Sequence, residues 1–348
     1  MKNRVRVDYG HVAENARRIA DYSGKKILAV VKNDAYNLGI EGIVDTLRCS
    51  GINCFAVASM DEALSLKELF PDVYALVFNP ADDGEIKSAR ERGVALSVTG
   101  ERWFYEHADS LSGIDLHLKI NVGMNRFGIS GMEAAKRIVT DCGRLGLSLV
   151  GLFTHLPLAE ESDLSGHDQE VELFCGFYER LSPLCDFQFI HAENTAATLL
   201  RDSRLDFCNF VRPGAMLFGC SSRERVNWLL PTVYVSSAVI DLREAPKDGH
   251  LGYGYKFFAP RDMTVAILPI GYGHGLSRAR KAAPVFINGS PYRIVSKIFL
   301  SHTFVEVDGR VKIGDEAEIY GDNVRIDDLS SAGAASNSEQ MLVVRLLR

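Results

Sequence analysis

The sequence predicts an α/β protein with an N-terminal (β/α)8 TIM-type barrel over residues 1–228 and an all-β domain over residues 229–348. Three observations predict this. Short apolar runs alternate with helix-period segments through the first two thirds of the chain, as in a parallel sheet. Eight such runs occur within about 200 residues, the number that closes a barrel, with an open doubly wound sheet as the alternative. Past residue 228 the helical period gives way to hairpin signals, and 348 residues suit two domains of roughly 150 residues each.

Taken in order, the strands are read at 26–32 (KILAVVK), 53–58, 73–78, 94–98, 114–122, 148–154, 187–191 and 208–212. Helices fall between them at 39–49, 60–70, 84–92, 101–109, 131–144, 167–182 and 195–202. In the second domain, 233–242, 264–270, 285–287, 292–299, 303–307 and 316–320 are strand-like. Turn pairs such as Asn288-Gly289 and Asp308-Gly309 separate them, and Asn-Gly between apolar runs is a strong hairpin signal. The first few residues are open to pairing with the β domain. Residues 322–339, rich in Asp, Ser, Ala and Gly, read as a loop.

Composition narrows the function. Lys and Arg number 39 against 45 Asp and Glu, a net charge of −6. That argues against a nucleic-acid partner or a basic membrane-surface protein. No apolar run reaches the roughly 18 residues of a membrane span, and the start has no signal-peptide core. The 7 cysteines show no CxxC pair. They read as reduced thiols of a cytoplasmic protein, with neither a disulfide framework nor a metal site.

A barrel binds ligands at the C-terminal ends of its strands, so polar residues there are the candidates. Lys32 closes an apolar run: desolvation would make it a better nucleophile or base, and the plain alternative is a lysine reaching the rim. In the fifth strand, Asp115, His117, Lys119 and Asn121 alternate with apolar residues: in a barrel they face the lumen, where His117 and Lys119 need partners, and the equal alternative is an edge strand of an open sheet with one wet face. Strand six ends in Thr154-His155, strand seven in His191 followed by Asn194-Thr195, and strand eight in Arg212-Pro213-Gly214. Asn194 or Thr195 suits a helix cap, or a helix start that binds phosphate.

These residues lie in motifs that resemble a known family. AVVKNDAYNLG (29–39), KINVGMNRFGI (119–129), GLFTHL (151–156), HAENTAA (191–197), VRPGAMLFG (211–219), LGYGYKF (251–257) and LPIGYGHGLSR (268–278) follow one another in the order found in fold-type III pyridoxal-phosphate enzymes, and most closely in the alanine racemase family. The resemblance implies pyridoxal 5'-phosphate as cofactor and racemisation of a small amino acid, alanine first and serine second. Another carbanion reaction on the same scaffold, such as decarboxylation or racemisation of a larger amino acid, and a non-catalytic binder are the alternatives.

By the same resemblance Lys32 would hold the cofactor and act as one base, and Tyr253, supplied by the other subunit of a homodimer, would be the second. Tyr36, Thr195 and the Gly214-Ala215 backbone would hold the phosphate, Asn194 would also belong to the cofactor site, Arg212 would face the pyridine nitrogen, and His155 would stack on the ring. Arg126 and the Leu300 backbone would bind the substrate carboxylate, with Tyr272 at the entrance. Lys119 matches a position that is carbamylated in many members. The family pattern has Met-Asp where this chain has Leu300-Ser301, Gly-His where it has Asn37-Leu38, and a C-terminal phosphate-binding tyrosine where it has none after Tyr320.

Overall fold

The computed structural model describes residues 3–221, 225–330 and 336–347. The chain divides into two compact units: Ala16–Ala35 with Ile40–Leu217, and Met1–Asn15 with Tyr36–Gly39 and Phe218–Arg348.

The first unit is a closed parallel barrel. Its first strand has two pieces, Lys26–Ile27 and Ala29–Val30. Cys54–Val57, Tyr74–Val77, Val94–Val98, Asp115–Lys119, Ser148–Phe153 and Phe189–His191 follow in parallel sequence order. Phe210–Val211, the eighth strand, pairs in parallel with Lys26–Ile27. Backbone bonds close the ring on both sides, with Leu28 N–H donating to Val211 O (2.9 Å) and Arg212 N–H to Glu193 O (2.8 Å). The strands carry near-continuous apolar runs because both faces are covered, by lumen and by helices; all five residues of Val94–Val98 are buried.

The connecting helices begin and end on local signals. Asp82 caps Asp83–Arg92 in a reciprocal capping box with Glu85, and Gly93, at φ 63°, ends that helix. Helices at Ile40–Cys49, Met60–Leu69, Glu101–His107, Met132–Leu145, Ser165–Leu181 and Thr195–Leu200 complete the alternation.

The second unit is built on antiparallel sheets. Asn3–Val7 pairs with Val233–Ala238, which pairs with Glu316–Tyr320, then Val285–Ile287 and Ser290–Tyr292. Asp241–Ala245, Met263–Leu268, Thr303–Val307 and Ile294–Val295 form a second sheet. Alternating burial along Val233–Ala238 marks a sheet with one covered face. Asn288 and Gly289 both take positive φ, 52° and 75°, as the two-residue hairpin requires.

Three sequence readings need correction. The run 233–242 breaks between Val233–Ala238 and Asp241–Ala245, which belong to different sheets. The run 292–299 yields only short strands, ending Ser290–Tyr292 and at Ile294–Val295. The segment read as a loop at 322–339 holds a helix at Asp327–Ser330 and the start of a helix at Asn337–Leu347. The apolar residues that bury the second helix, Met341, Val343 and Val344, lie just past that polar segment; residues 331–335 lie outside the described set. No helix among the described residues is long and apolar enough to cross a membrane.

Candidate active site

The mouth of the barrel gathers the predicted cations. Lys32 follows the end of the first strand, where Val31 N–H still donates to Ala56 O (3.0 Å). From Asn33 to Asn37 five consecutive residues take positive φ, between 50° and 69°. An L-residue pays about 1–2 kcal/mol for this conformation, less for Asn and Asp. Three of the five are Asn33, Asp34 and Asn37, and the Asp34 carboxylate accepts Ile40 N–H (2.8 Å), so sequence and hydrogen bonding both favour the turn. Backbone held in such a region is typical of functional sites. The Asn and Asp content of KNDAYN is the sequence signal for this turn, and matching the segment as a lysine motif does not use it.

Burial lowers the Lys32 amine below the usual lysine range, and the nearby Arg126 guanidinium lowers it further. Arg126 is exposed and makes no hydrogen bond or ion pair among the described residues. Its loop is organised by Asn121, whose amide donates to Asn125 Oδ1 (2.8 Å) and Ser130 Oγ (2.9 Å), while its own Oδ1 accepts from Gly123 and Asn125.

Lys119 is buried, with its ammonium 5.4 Å from the centre of the Phe127 ring and 5.6 Å from that of Phe153. Burial, and then Arg126, Arg212 and Lys32, bring it down to about 8: the charges acting on it are all cations. His155 is pushed to about 3 by burial and by Arg212, Lys119, Arg126 and Lys32, so it is a neutral ring at pH 7.

Arg212 is the most deeply fixed of the group. One terminal nitrogen donates to His191 Nδ1 (3.0 Å) and His191 O (2.6 Å), the other to Thr154 O (2.6 Å) and Ala192 O (2.9 Å). Its Nε makes no hydrogen bond among the described residues, although the side chain is only 4% exposed. Burial lowers even this guanidinium to about 10.

Because arginine can only donate, it orients the chain of groups behind it. His191 Nδ1 accepts from Arg212, so its proton sits on Nε2, which faces His117 Nδ1 at 3.0 Å. The His117 proton therefore sits on Nε2, 2.8 Å from the Tyr74 hydroxyl. Burial and Arg212 keep both rings neutral, His117 at about 3. The fifth-strand pattern marks His117 and strand seven His191; Tyr74, on the third strand, carries no sequence signal. Gly151 makes room for this array, since a Cβ there would stand 2.2 Å from His117 Nδ1. Gly151→Ala is expected to cost about 2–3 kcal/mol, read as a lower urea midpoint.

At the seventh strand end, Asn194 caps Thr195–Leu200: its Oδ1 accepts Ala197 N–H (2.9 Å) and its amide donates to Leu156 O (3.2 Å). The Thr195 hydroxyl accepts Met216 N–H (3.4 Å), which ties this helix start to the turn after Arg212. Gly214 N–H makes no hydrogen bond among the described residues.

The remaining predicted residues belong to the second unit. Tyr36 lies in the Tyr36–Gly39 piece with its ring 5.6 Å from that of Phe218; burial raises its hydroxyl to about 12, and the hydroxyl makes no hydrogen bond among the described residues. Tyr253 is 85% exposed and packs edge-on against Phe299. It lines a cavity of about 610 Å³ with Gly252, Tyr255, Phe299, His302 and Phe304. Tyr272 lies under the Arg278 guanidinium (4.4 Å). Tyr272 and Gly273 N–H donate to Phe299 and Leu300 O (2.9 and 2.8 Å). A Cβ on Gly271 would come 2.1 Å from Phe299 O, which explains that glycine of the GYGHG motif. Leu300 is exposed, and its own N–H makes no hydrogen bond among the described residues.

Comparison with known proteins places this geometry in a family. Residues 7–222 match the family model "Alanine racemase, N-terminal domain" and residues 232–346 match "Alanine racemase, C-terminal domain". The chain belongs to the alanine racemase family. Alanine racemase 2 of Staphylococcus aureus is 30% identical over 328 residues, 92% of this chain and 90% of that one. The solved alanine racemase of Acinetobacter baumannii superposes with TM-score 0.87 at 25% identity, covering 99% of this chain and 97% of that one. The Bartonella henselae member of the family, solved with covalently bound pyridoxal phosphate, shares the fold at TM-score 0.87 and 21% identity, with 99% and 97% covered.

Proposed function

We propose that the protein is an alanine racemase that uses pyridoxal 5'-phosphate, with Lys32 and Tyr253 as its two bases. The observation that carries the proposal is a lysine of lowered basicity at the first strand end of a family barrel, beside an unpaired arginine. The donor set suits an anionic, ring-bearing cofactor: Arg212 has an Nε–H that meets no acceptor among the described residues, and the hydroxyl of Tyr36 and the N–H of Gly214 are likewise unspent. Lys32 would hold the cofactor. Thr195, Gly214, Ala215 and Tyr36 would hold its phosphate, with Asn194 fixing the Thr195 turn. Arg212 would meet its ring nitrogen and His155 would lie against its face.

When bound, the cofactor supplies an electron sink that makes the substrate Cα–H acidic. Lys32 Nζ takes or returns the proton on one face and Tyr253 Oη on the other, so inversion needs only two opposed bases. Arg126 and Leu300 N–H bind the carboxylate, and Tyr272 narrows the approach. A small pocket favours alanine, while a hydroxyl gives modest discrimination, so serine is the second substrate. Arg212 has no proton to give at working pH. It weakens the sink and so favours return of the proton at Cα over side reactions. Arg212→Glu is therefore expected to raise pyruvate formed by transamination; an unchanged pyruvate-to-racemate ratio would contradict this role.

Lys119 is proposed to carry a carbamate. Its lowered pKa supplies the neutral amine that attacks CO2, losing one proton, and the product charge would offset Arg126 and Arg212. Protein equilibrated with ¹³C-bicarbonate should show a carbamate carbon resonance that Lys119→Ala lacks.

A homodimer in the cytoplasm completes the reading. Exposed Tyr253, Tyr255, Phe258, Tyr272 and Leu300 lie on the second unit, an apolar set that a second copy would cover while lending Tyr253 to its site. The seven cysteines are free, as suits a reducing compartment. The deciding experiment offers a panel of L-amino acids in deuterated water and scores Cα exchange and chiral product. Exchange with D-alanine formation supports the racemase. Exchange with loss of CO2 would make it a decarboxylase, and no exchange a binder.

A further inference from the structure

The Glu62 carboxylate joins two barrel strands at the site. Glu62 is the third residue of the helix Met60–Leu69, and its N–H donates to the Ser59 cap hydroxyl (3.4 Å). A glutamate at this position ordinarily reaches back to the backbone N–H of the cap residue. In this chain it does not. Oε2 accepts Ala58 N–H (2.8 Å), just past the end of the second strand, and Oε1 accepts Asn33 N–H (2.6 Å), across the barrel rim. Asn33 N–H belongs to the peptide that follows Lys32, so the plane of that peptide is fixed where the five-residue left-handed run begins.

Hydrogen bonds to a carboxylate are roughly twice as strong as neutral ones. No other acceptor for Asn33 N–H occurs among the described residues, and Ala35 N–H and Asp34 Oδ1 serve the later part of the turn. Glu62 also acts on Lys32 through its charge. Burial and Arg126 lower the basicity of the Lys32 amine, whereas Glu62 raises it. Lys119, on the fifth strand, is a further cation coupled to Lys32, and His155 is neutral.

We propose that Glu62 is the positioning residue for Lys32, clamping the Lys32–Asn33 peptide to the end of the second barrel strand and setting a negative charge against the amine. The proposal rests on the reading of Lys32 as the reactive amine and deepens it. The carboxylate fixes the backbone where the strained turn begins, and its charge limits how far burial and Arg126 lower the amine.

The test uses the full-length chain freed of cofactor with hydroxylamine, so it is independent of turnover. Lys32 is acylated with limiting acetic anhydride across a pH series and quantified by peptide mass spectrometry, while amide exchange is followed at Asn33 and Ala58. Glu62→Gln is expected to move the Lys32 midpoint down and raise its acylation at pH 7 roughly three-fold. It should also speed Asn33 exchange about ten-fold. Glu62→Asp keeps the charge and shortens the reach, so it should restore the midpoint while Asn33 exchange stays fast. A midpoint and an Asn33 exchange rate unchanged in Glu62→Gln would overturn the proposal, as would equal changes at lysines far from the barrel mouth. A shifted midpoint in a chain whose Lys32 never takes up cofactor would leave the clamp standing and remove the racemase reading.

Discussion

Lys32→Ala is expected to abolish the visible absorbance of protein-bound pyridoxal phosphate and to lower racemisation in both directions by about 10⁴-fold or more. The effect is large because one nitrogen is asked to do two things: hold the cofactor and move the proton. It should not be large for stability. Lys32 is half-buried and makes no hydrogen bond or ion pair with its amine among the described residues, so its removal strands no partner. Relief of a desolvated ammonium near Arg126 should offset the lost contacts. The check is therefore a pair of measurements, the absorbance spectrum and a urea titration. Lost colour with an unchanged midpoint supports the assignment. A variant that keeps both its colour and its activity would refute it.

Tyr253→Phe should separate the two directions. With the hydroxyl gone, proton removal from one enantiomer is expected to fall by about 10²–10⁴-fold, while exchange of the other at Cα persists through Lys32. The substitution is nearly silent structurally, since the side chain is 85% exposed and its ring contact with Phe299 does not involve the hydroxyl. Deuterium incorporation from solvent, measured separately from D- and L-alanine, reads the asymmetry. Equal losses from both enantiomers would contradict the two-base scheme. Mixing Lys32→Ala with Tyr253→Phe adds a test of the shared site: hybrid dimers should regain activity if each copy lends Tyr253 to the other.

Much of the barrel is legible in the sequence because its strands are short apolar runs bounded by turn residues, and some helices bring their own punctuation, as Asp82 with Glu85 and Gly93 do. Burial on both faces makes such runs easy to see. The fifth strand is legible for the opposite reason: His117 and Lys119 interrupt an apolar pattern, which fits a polar lumen once the other strands close the barrel. The second unit is harder. A run such as 233–242 reads as one strand because hydrophobicity does not record where a chain changes sheets. The C-terminal helix hides behind a polar stretch, since its buried face is only a few residues wide.

At the site, the motifs point to the residues proposed to meet ligand and are silent on those that hold them in place. Glu62 lies in an ordinary amphipathic helix, and only the fold brings its carboxylate to Asn33 N–H. Tyr74 is likewise an unremarked strand residue until His117 is placed beside it. Such contacts join residues distant in sequence, and neither period nor spacing encodes them.

The most direct measurement is chemical trapping of the linkage. The full-length protein is loaded with pyridoxal phosphate, reduced with borohydride and mapped by peptide mass spectrometry. With Lys32 as the anchoring amine, one pyridoxyl-phosphate adduct per chain is expected, on Lys32. An adduct on Lys119 or on any other lysine, or none at all, would contradict that assignment.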